Sequence, residues 1–140
     1  MTFGSPAGIR HVYSYRFLDR SIAVPIVLRS SATEIDLVAT IDTGASHCIF
    51  ETAYANELNL DLTSGVLKRF RTTNSTFEAF GHEVHIEVLG VLNYSLVYFF
   101  AEPSIVKNVL GHAGWLDRVR LGLVDYDSLL YLDAYDQAPE

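Results

Sequence analysis

The tripeptide Asp42-Thr43-Gly44 is the motif whose residue types and position point most clearly to chemistry. An apolar segment at 37–41 (Leu-Val-Ala-Thr-Ile) runs directly into Asp42, and two small residues follow Gly44 before the chain becomes apolar again at 48–50. This pattern predicts a carboxylate at the end of a buried strand, where burial penalises the charged form unless another group compensates. The tripeptide alone fits either a functional carboxylate or an ordinary turn in which the Asp42 side chain bonds nearby backbone.

Three other groups of reactive side chains fit structural roles better than chemical ones. The segment 81–85 (Gly-His-Glu-Val-His) has one residue too few for the helical zinc motif, and on a strand its two histidines point to opposite faces. Cys48 lies in an apolar run typical of a core thiol, and Trp115 is typical of a core residue. The segment 125–128 is too short for a calcium loop and suits a hairpin turn. We therefore predict no metal site.

Composition limits the classes of function. The chain has 140 residues, of which 49% are hydrophobic and 19% charged, so it supports a packed core and is predicted to form one domain over 1–140. A net charge of −7 gives no basic footprint for nucleic acid. The single cysteine excludes an internal disulfide and a thiolate zinc cluster. The first twenty residues lack a signal-peptide pattern and no apolar run could span a bilayer, which predicts a cytoplasmic protein without a membrane partner.

Alternation of apolar and polar residues predicts a mostly β protein. In the strand predicted at 21–28, Pro25 indicates an edge position or a gap in the hydrogen-bond ladder. The spacing at Glu51–Leu58 predicts a helix that buries Phe50, Ala53, Tyr54 and Leu58. A second, shorter helical turn is predicted around 115–117, and a hairpin turn at 74–75. Strands are predicted at 12–17, 21–28, 34–41, 81–89, 94–100, 106–110, 119–126 and 129–133, which suggests a small, mostly antiparallel barrel or sandwich.

From about Ser21 to Leu132 the chain resembles the retropepsin-like aspartic proteases, single-domain proteins similar to one lobe of pepsin. The resemblance implies a small closed antiparallel β-barrel with one or two short helices and a core at about 21–132. It also implies that the tails 1–11 and 134–140 lie at a dimer interface. Four features match the family in order: the strand that enters Ile41-Asp42-Thr43-Gly44-Ala45-Ser46, a Thr-rich hairpin at 71–81 in the place of the flap, the apolar-apolar-Gly signature Val109-Leu110-Gly111, and the short helix and terminal strands that follow it.

The resemblance also implies a mechanism. In this family each of two subunits supplies one catalytic carboxylate, so a single motif implies a homodimer in which Asp42 from each chain is catalytic and Thr43 and Gly44 support it. The substrate is an extended peptide or protein segment, and no metal or cofactor is required. The implied substrate contacts are Gly44, Ser46, Thr73, Asn74, Ser75 and Leu110.

Two departures from the family pattern leave a second hypothesis open. Retroviral members carry an acidic residue two positions after the Gly and an Arg after the apolar-apolar-Gly signature; here these positions hold Ser46 and His112. We expect a Ser46–His112 hydrogen bond in place of the ion pair. The hairpin segment 71–76 also lacks the glycines of family flaps. The leading hypothesis is an aspartic endopeptidase, and the alternative is a catalytically weak or inactive dimerisation or peptide-binding module of the same fold.

Overall fold

The computed structural model describes residues 11–15, 17–18, 21–103 and 108–135. The described residues form eleven strands, one α-helix and three short 3₁₀ helices. The α-helix α1 spans Thr52–Glu57, and the 3₁₀ helices span Leu62–Ser64, Leu116–Arg118 and Asp125–Asp127. The strands are β1 (His11–Ser14), β2 (Phe17–Leu18), β3 (Ser21–Ser30), β4 (Thr33–Ile41), β5 (Ile49–Phe50), β6 (Val66–Arg71), β7 (Thr76–Val88), β8 (Val91–Phe100), β9 (Val109–Leu110), β10 (Val119–Val124) and β11 (Leu129–Ala134).

Eight strands form one sheet that closes on itself. Their order is β2-β3-β4-β9-β5-β8-β7-β6. Because β3 also pairs with β7, the six strands β3-β4-β9-β5-β8-β7 make a ring, with β2 and β6 outside it. The mostly β class and the closed sheet are therefore confirmed. The sheet is mostly antiparallel, as predicted, and two of its pairings are parallel: β4 with β9 and β5 with β8. Parallel pairing needs long connections between partners, and alternation along one strand does not reveal it.

The long strands explain how the ring closes at Pro25. On one side β3 pairs with β4 from Ala23 to Ser30, with Pro25 opposite Val38. On the other side β3 pairs with β2 at 21–22 and with β7 at 26–29, so Pro25 lies between the two pairings. A residue without an N–H is tolerated at such a gap. The sequence predicted that Pro25 lies either on an edge strand or at a gap in the hydrogen-bond ladder, and the structure places it at a gap.

Strand β8 begins at Val91, earlier than predicted, because the turn between β7 and β8 is tight, and β7 begins earlier than predicted at its other end, at Thr76. Leu89 and Gly90 both have positive φ, at 49° and 85°, and Val88 pairs directly with Val91. Two consecutive residues with positive φ make the turn that matches the twist of a hairpin. The predicted strands at 81–89 and 94–100 are thus two arms of one hairpin. Leucine is uncommon at positive φ, which is why this turn was not predicted.

Apolar residues of alternate positions fill the interior of the ring. The predicted alternation is confirmed by the burial of Val24, Ile26 and Leu28 in β3 and of Val84 and Ile86 in β7. Helix α1 matches the predicted helix to within a residue at each end and buries Ala55 and Leu58. Ala53 was expected to be buried but is exposed, because the helix is only six residues long and Ala55 takes the inner position.

The two ends of the chain meet in a second, three-stranded sheet with order β1-β11-β10. The strand predicted at 12–17 is divided between β1, which joins this sheet, and β2, which joins the ring. The predicted strand at 106–110 is observed only as β9, since 106–107 lie outside the described residues, as do most of the tails at 1–10 and 136–140. Within the described part of the chain no helix is long and apolar enough to cross a membrane.

Candidate active site

Asp42 begins a loop that is fastened along its length to a second segment of the chain. The loop, residues 42–47, follows β4, and β9 runs parallel to the end of β4. The Asp42 N–H donates to the Leu110 carbonyl at 3.0 Å, and the His112 N–H donates to the Ala45 carbonyl at 2.9 Å. The Ala113 N–H donates to the Ser46 carbonyl at 2.8 Å. These three bonds satisfy backbone groups of both segments and hold the Asp42 loop in one position.

Gly111 allows this close approach of the two segments. A Cβ at position 111 would lie 2.3 Å from the His47 carbonyl oxygen and 2.7 Å from that of Ala45. Both contacts are with backbone, which cannot rotate away as a flexible side chain can. The glycine of the apolar-apolar-Gly signature is therefore a steric requirement of the Asp42 loop.

Leu110 lies beneath the Asp42 loop and is completely buried. The predicted contact between Leu110 and substrate is therefore corrected: the Leu110 side chain belongs to the hydrophobic core. An apolar residue before a structurally required glycine packs inward, and apolar character alone did not distinguish a core residue from a residue that lines a binding site.

The Asp42 carboxylate is exposed, although the strand before it is buried. Its Oδ1 accepts a hydrogen bond from the Gly44 N–H at 2.9 Å. This bond closes the side-chain turn that the sequence allowed as an alternative to function. The turn and a chemical role are compatible, because the bond orients the carboxylate while solvent still reaches it. Thr43 and Gly44 are exposed beside it.

The predicted hydrogen bond between Ser46 and His112 is not formed, and each side chain has a different partner. The Ser46 hydroxyl is hydrogen-bonded to Nδ1 of its neighbour His47 at 2.7 Å. His112 reaches instead across to the Asp42 loop, where its Nε2 lies 2.6 Å from the Thr43 carbonyl oxygen. Since a carbonyl only accepts, the His112 Nε2–H is the donor. His112 is thus a side-chain clamp on the residue that follows Asp42.

His47 links the Asp42 loop to the hairpin formed by β6 and β7. Its ring packs edge-on against Phe70 and Tyr98, with ring centroids 5.4 Å apart in each case. Burial lowers the pKa of the His47 imidazole below its usual range, and the positive charge of Lys68 lowers it further. Sequence reasoning singled out neither His47 nor Phe70 for this contact, because their pairing depends on how the hairpin folds over the loop.

A hairpin was predicted at 71–81 with its turn at 74–75, and the β6–β7 hairpin is observed there with its turn at 72–75. The Thr72 N–H donates to the Ser75 carbonyl at 2.8 Å, and the two hydroxyls are 2.9 Å apart. Below the turn Phe70 stacks on Phe77 with a centroid distance of 5.3 Å. The predicted substrate contacts Thr73, Asn74 and Ser75 are exposed at the tip. The structure thus brings the part of the hairpin just below its turn to the Asp42 loop through Phe70, while the tip remains in solvent.

An open cleft of about 600 Å³ lies between this hairpin and the residues that follow β8. Its floor is aromatic, and charged side chains line its sides. Asp42 does not line this cleft. The main lining residues are Arg69, Ser75, Phe77, Glu78, Phe100 and Glu102.

The other reactive groups have structural roles. Cys48 is fully buried, and burial raises the pKa of its thiol to about 12, so it is an unreactive core thiol. His82 Nε2 is bonded to the Leu62 carbonyl at 2.9 Å, whereas His85 packs on Tyr94 from the opposite face of β7. Across the described ranges no three His, Cys, Asp or Glu side chains are grouped as a metal would require.

Solved structures of known proteins share this architecture. The crystal structure of a retropepsin-like aspartic protease from Rickettsia conorii superimposes with a TM-score of 0.61 at 19% sequence identity, covering 86% of this chain and 95% of that chain. The chain has the retropepsin-like fold. Within that fold, Asp42 and Gly111 occupy the two segments that are fastened together at the end of β4.

A second solved structure with the retropepsin-like fold gives a weaker match. The protease of EIAV, complexed with the inhibitor HBY-793, has a TM-score of 0.49 at 20% identity and covers 67% of this chain and 84% of that chain. No protein-family model matches the sequence, and the search of curated proteins gives no match.

Proposed function

We propose that this protein is an aspartic endopeptidase that acts as a homodimer. One observation carries the proposal: a solvent-exposed Asp42 carboxylate, oriented by the Gly44 N–H, stands on a rigidly fastened loop of a retropepsin-like fold. A carboxylate that is held in place and open to water suits general acid–base catalysis.

The chemistry requires a second carboxylate, and each chain supplies a single Asp-Thr-Gly motif. The exposure of Asp42 in one chain is what a site shared across a two-fold axis needs, since a partner's loop has to approach it. In such a dimer Thr43, also exposed, lies where it would brace the two loops against each other. Gly44 keeps the loop low enough for a peptide backbone to approach.

The terminal sheet offers a surface for the second copy. Several large apolar side chains of this sheet and its turns are exposed in the single chain. Tyr126, in the turn between β10 and β11, is 98% exposed. Apolar side chains left in solvent are available to an interface with a second copy. The members are Val12, Leu123, Tyr126 and Tyr135.

The proposed reaction uses water as the nucleophile. Two carboxylates a few ångströms apart cannot both ionise, as is known for aspartic proteases, so the pair retains one proton. The ionised Asp42 takes a proton from a water molecule as the oxygen of that water attacks the peptide carbonyl carbon. The protonated Asp42 of the other chain donates to the carbonyl oxygen. The C–N bond then breaks, the leaving nitrogen takes up a proton from the pair, and a carboxylic acid and an amine are released. The pair titrates as a unit.

The substrate is an extended peptide bound as an added strand, with alternate side chains in pockets. Gly44 and Ser46 would lie beneath it, and the hairpin tip at Thr73, Asn74 and Ser75 would lie above it. In this arrangement the exposed tip closes over the substrate, which excludes water from the reacting carbonyl.

Peptide-library cleavage between about pH 4 and pH 6, where one proton per pair is retained, tests the proposal. We expect cleavage that a statine-type inhibitor blocks and that Asp42→Asn reduces by at least about a thousandfold, because the variant cannot act as a base. Asp36→Asn, which removes an exposed carboxylate from the same strand, should cleave like the parent. Equal cleavage by Asp42→Asn and the parent would exclude this mechanism.

A peptide-binding module without efficient catalysis is the second candidate function. The observation in its favour is the hairpin tip, which has no glycine and is closed by two side chain–backbone bonds and a hydroxyl pair between Thr72 and Ser75. A stiff tip would admit substrates slowly. This candidate predicts peptide binding that is equal in the parent and in Asp42→Asn, with no cleavage by either.

Sedimentation tests the dimer separately. We expect a dimer whose dissociation is promoted by Tyr126→Asp, since a charge would replace an apolar contact in the proposed interface. The matched change Val66→Asp, at an exposed apolar side chain of β6 in the other sheet, should leave the dimer intact. A chain that stays monomeric at high concentration rules out the shared active site.

A further inference from the structure

Strand β6 is a concentrated positive region on an acidic protein. Its sequence, Val-Leu-Lys-Arg-Phe-Arg, carries three of the ten lysines and arginines of the chain: Lys68, Arg69 and Arg71. Neither β6 nor the turn at 72–75 contains an acidic residue, although the whole chain has a net charge of −7. The field along this strand is therefore opposite in sign to that of the protein as a whole.

The same strand is the open edge of the sheet. It pairs with β7 on one side and ends the strand order, with no other described strand on its far side. Thr72 bonds to Ser75 across the hairpin, and in an antiparallel ladder the bonded pairs alternate. The backbone N–H and C=O groups of Leu67, Arg69 and Arg71 therefore point to the open edge. An edge of this kind is a template for an added strand.

The three cations are available to a ligand. Lys68 Nζ lies 5.6 Å from the centre of the Phe70 ring, on the face of the hairpin that packs against His47. Arg69 reaches Glu78 at 3.4 Å, but both side chains are largely in solvent and such a pair is weak. Arg71 is exposed and has no ion pair with any described residue.

Acidic side chains near the hairpin lie away from the open edge. Glu78 is on β7, on the paired side of β6, and Glu102 follows β8, one strand further on. Glu78 offsets part of the charge of Arg69, whereas Lys68 and Arg71 have no ion pair with any described residue. Because Phe70 packs on His47, five residues after Asp42, such a strand would lie beside the proposed active site.

We propose that the open edge of β6 binds an extended acidic peptide segment, so that the protein selects substrates with Asp or Glu residues flanking the cleaved bond. That the bound peptide is a substrate rests on the proposed protease function, whereas the binding of an acidic peptide to β6 does not depend on that function. Backbone bonds to the edge supply affinity for any extended chain, while Lys68, Arg69 and Arg71 supply the preference for acidic side chains.

Binding to Asp42→Asn, measured by fluorescence anisotropy, isolates recognition from cleavage. The probes are labelled decapeptides of alternating Glu and Thr, Gln and Thr, or Lys and Thr. Near pH 6, where Glu is ionised, we expect the Glu peptide to bind about five- to tenfold more tightly than the Gln peptide and the Lys peptide to bind most weakly. The preference should shrink as salt rises from about 50 mM to about 500 mM.

Matched charge variants locate the effect. In the Asp42→Asn background, Arg69→Gln with Arg71→Gln should abolish most of the preference for the Glu peptide. Arg29→Gln with Arg118→Gln removes the same charge elsewhere on the surface and should leave the preference unchanged. Two further Glu–Thr peptides carry methyl groups on alternate backbone nitrogens, one on the odd-numbered residues and one on the even-numbered residues. One of the two lacks the N–H donors that face β6. That peptide should lose most of its affinity, because it cannot form the hydrogen bonds of the ladder.

Four outcomes would overturn the inference: equal binding of the Glu and Gln peptides, equal loss in the two double variants, no effect of backbone methylation in either phase, or tighter binding of a short single-stranded DNA than of the Glu peptide. Cleavage of libraries by the parent protein without acidic preference would refute the inference and leave the protease intact. Preferential binding of the Glu peptide without cleavage of any library would refute the protease and leave the inference intact.

Discussion

The Asp42 loop and the tip of the β6–β7 hairpin differ in what holds them. The loop is fastened to a segment almost seventy positions away by backbone bonds from Asp42, His112 and Ala113, and Gly111 leaves room for no additional atom. The hairpin tip is held by bonds between Thr72 and Ser75, which are near neighbours in sequence. Its link to the rest of the molecule is lower down, through the aromatic contacts of Phe70.

This difference separates a rigid part of the candidate site from a movable one. Long-range bonds and a steric fit fix the position of the carboxylate, as catalysis by a positioned group requires. Local bonds give the tip its own shape, while below the tip β7 is tied into the sheet by its pairing with β8 from Ala79 onward. The packing of Phe70 and His47 is then the joint between the two parts, and variants at each level should separate them.

The largest expected effect is at Gly111. Gly111→Ala should lower the free energy of unfolding by at least about 3 kcal/mol, because the new Cβ meets two backbone carbonyls and the loop has to move. Gly122→Ala, whose Cβ would have its nearest neighbour at 3.7 Å, should change it by less than about 1 kcal/mol. Chemical denaturation measures both. Similar values for the two variants would contradict a steric role for Gly111.

Phe70→Ala should have the next largest effect, and it should loosen the hairpin more than the loop. We expect a loss of about 2–3 kcal/mol, because the ring leaves a gap between His47, Phe77 and Tyr98. Amide hydrogen exchange should rise along β6 and stay low at 110–113. Leu67→Ala, at a position 55% exposed on the same strand, is the control and should change little. A uniform rise in exchange would mean that the joint does not separate the two regions.

His112→Ala should produce a smaller change, confined to the loop. Loss of the bond to the Thr43 carbonyl should cost about 0.5–1 kcal/mol of unfolding free energy, since the bond is exposed. If the protein is a protease, kcat should fall while KM changes little, because Asp42 is less well positioned. His112→Gln retains an N–H donor at a similar reach and should restore most of both. No difference between the Ala variant and the parent would remove His112 from the clamp.

The smallest effect is a pH dependence of the joint. Because burial and then Lys68 lower the pKa of His47, the folded state favours the neutral ring. The stability that His47 contributes is therefore fully present above its ordinary pKa of 6.5 and is lost as the pH falls through the lowered value. Denaturation measured from neutral to mildly acidic pH should show this loss, and His47→Gln should flatten it. A parent and variant that share one pH profile would contradict it.

Much of the molecule followed from local pattern. Period-two alternation predicted most strands, the spacing at 51–58 predicted α1, and the polar residues around 74–75 predicted the turn that is observed at 72–75. These elements depend on contacts between residues close in sequence, or on which face is apolar, and a single chain segment displays both. The predicted partner of Ser46 was wrong, because a side chain chooses among several neighbours at similar distance once the loop is folded.

By itself the sequence determined the mostly β class, the position of the Asp-Thr-Gly motif at the end of a strand, and the signature that ends in Gly111. Tertiary structure decided the parallel pairing of β4 with β9, the exposure of Asp42, the burial of Leu110 and the meeting of His47 with Phe70. The physical reason is range. Strand formation and turn chemistry are encoded over a few residues, whereas the surroundings of the carboxylate are built by segments that are distant along the chain and are brought together only by the packed core.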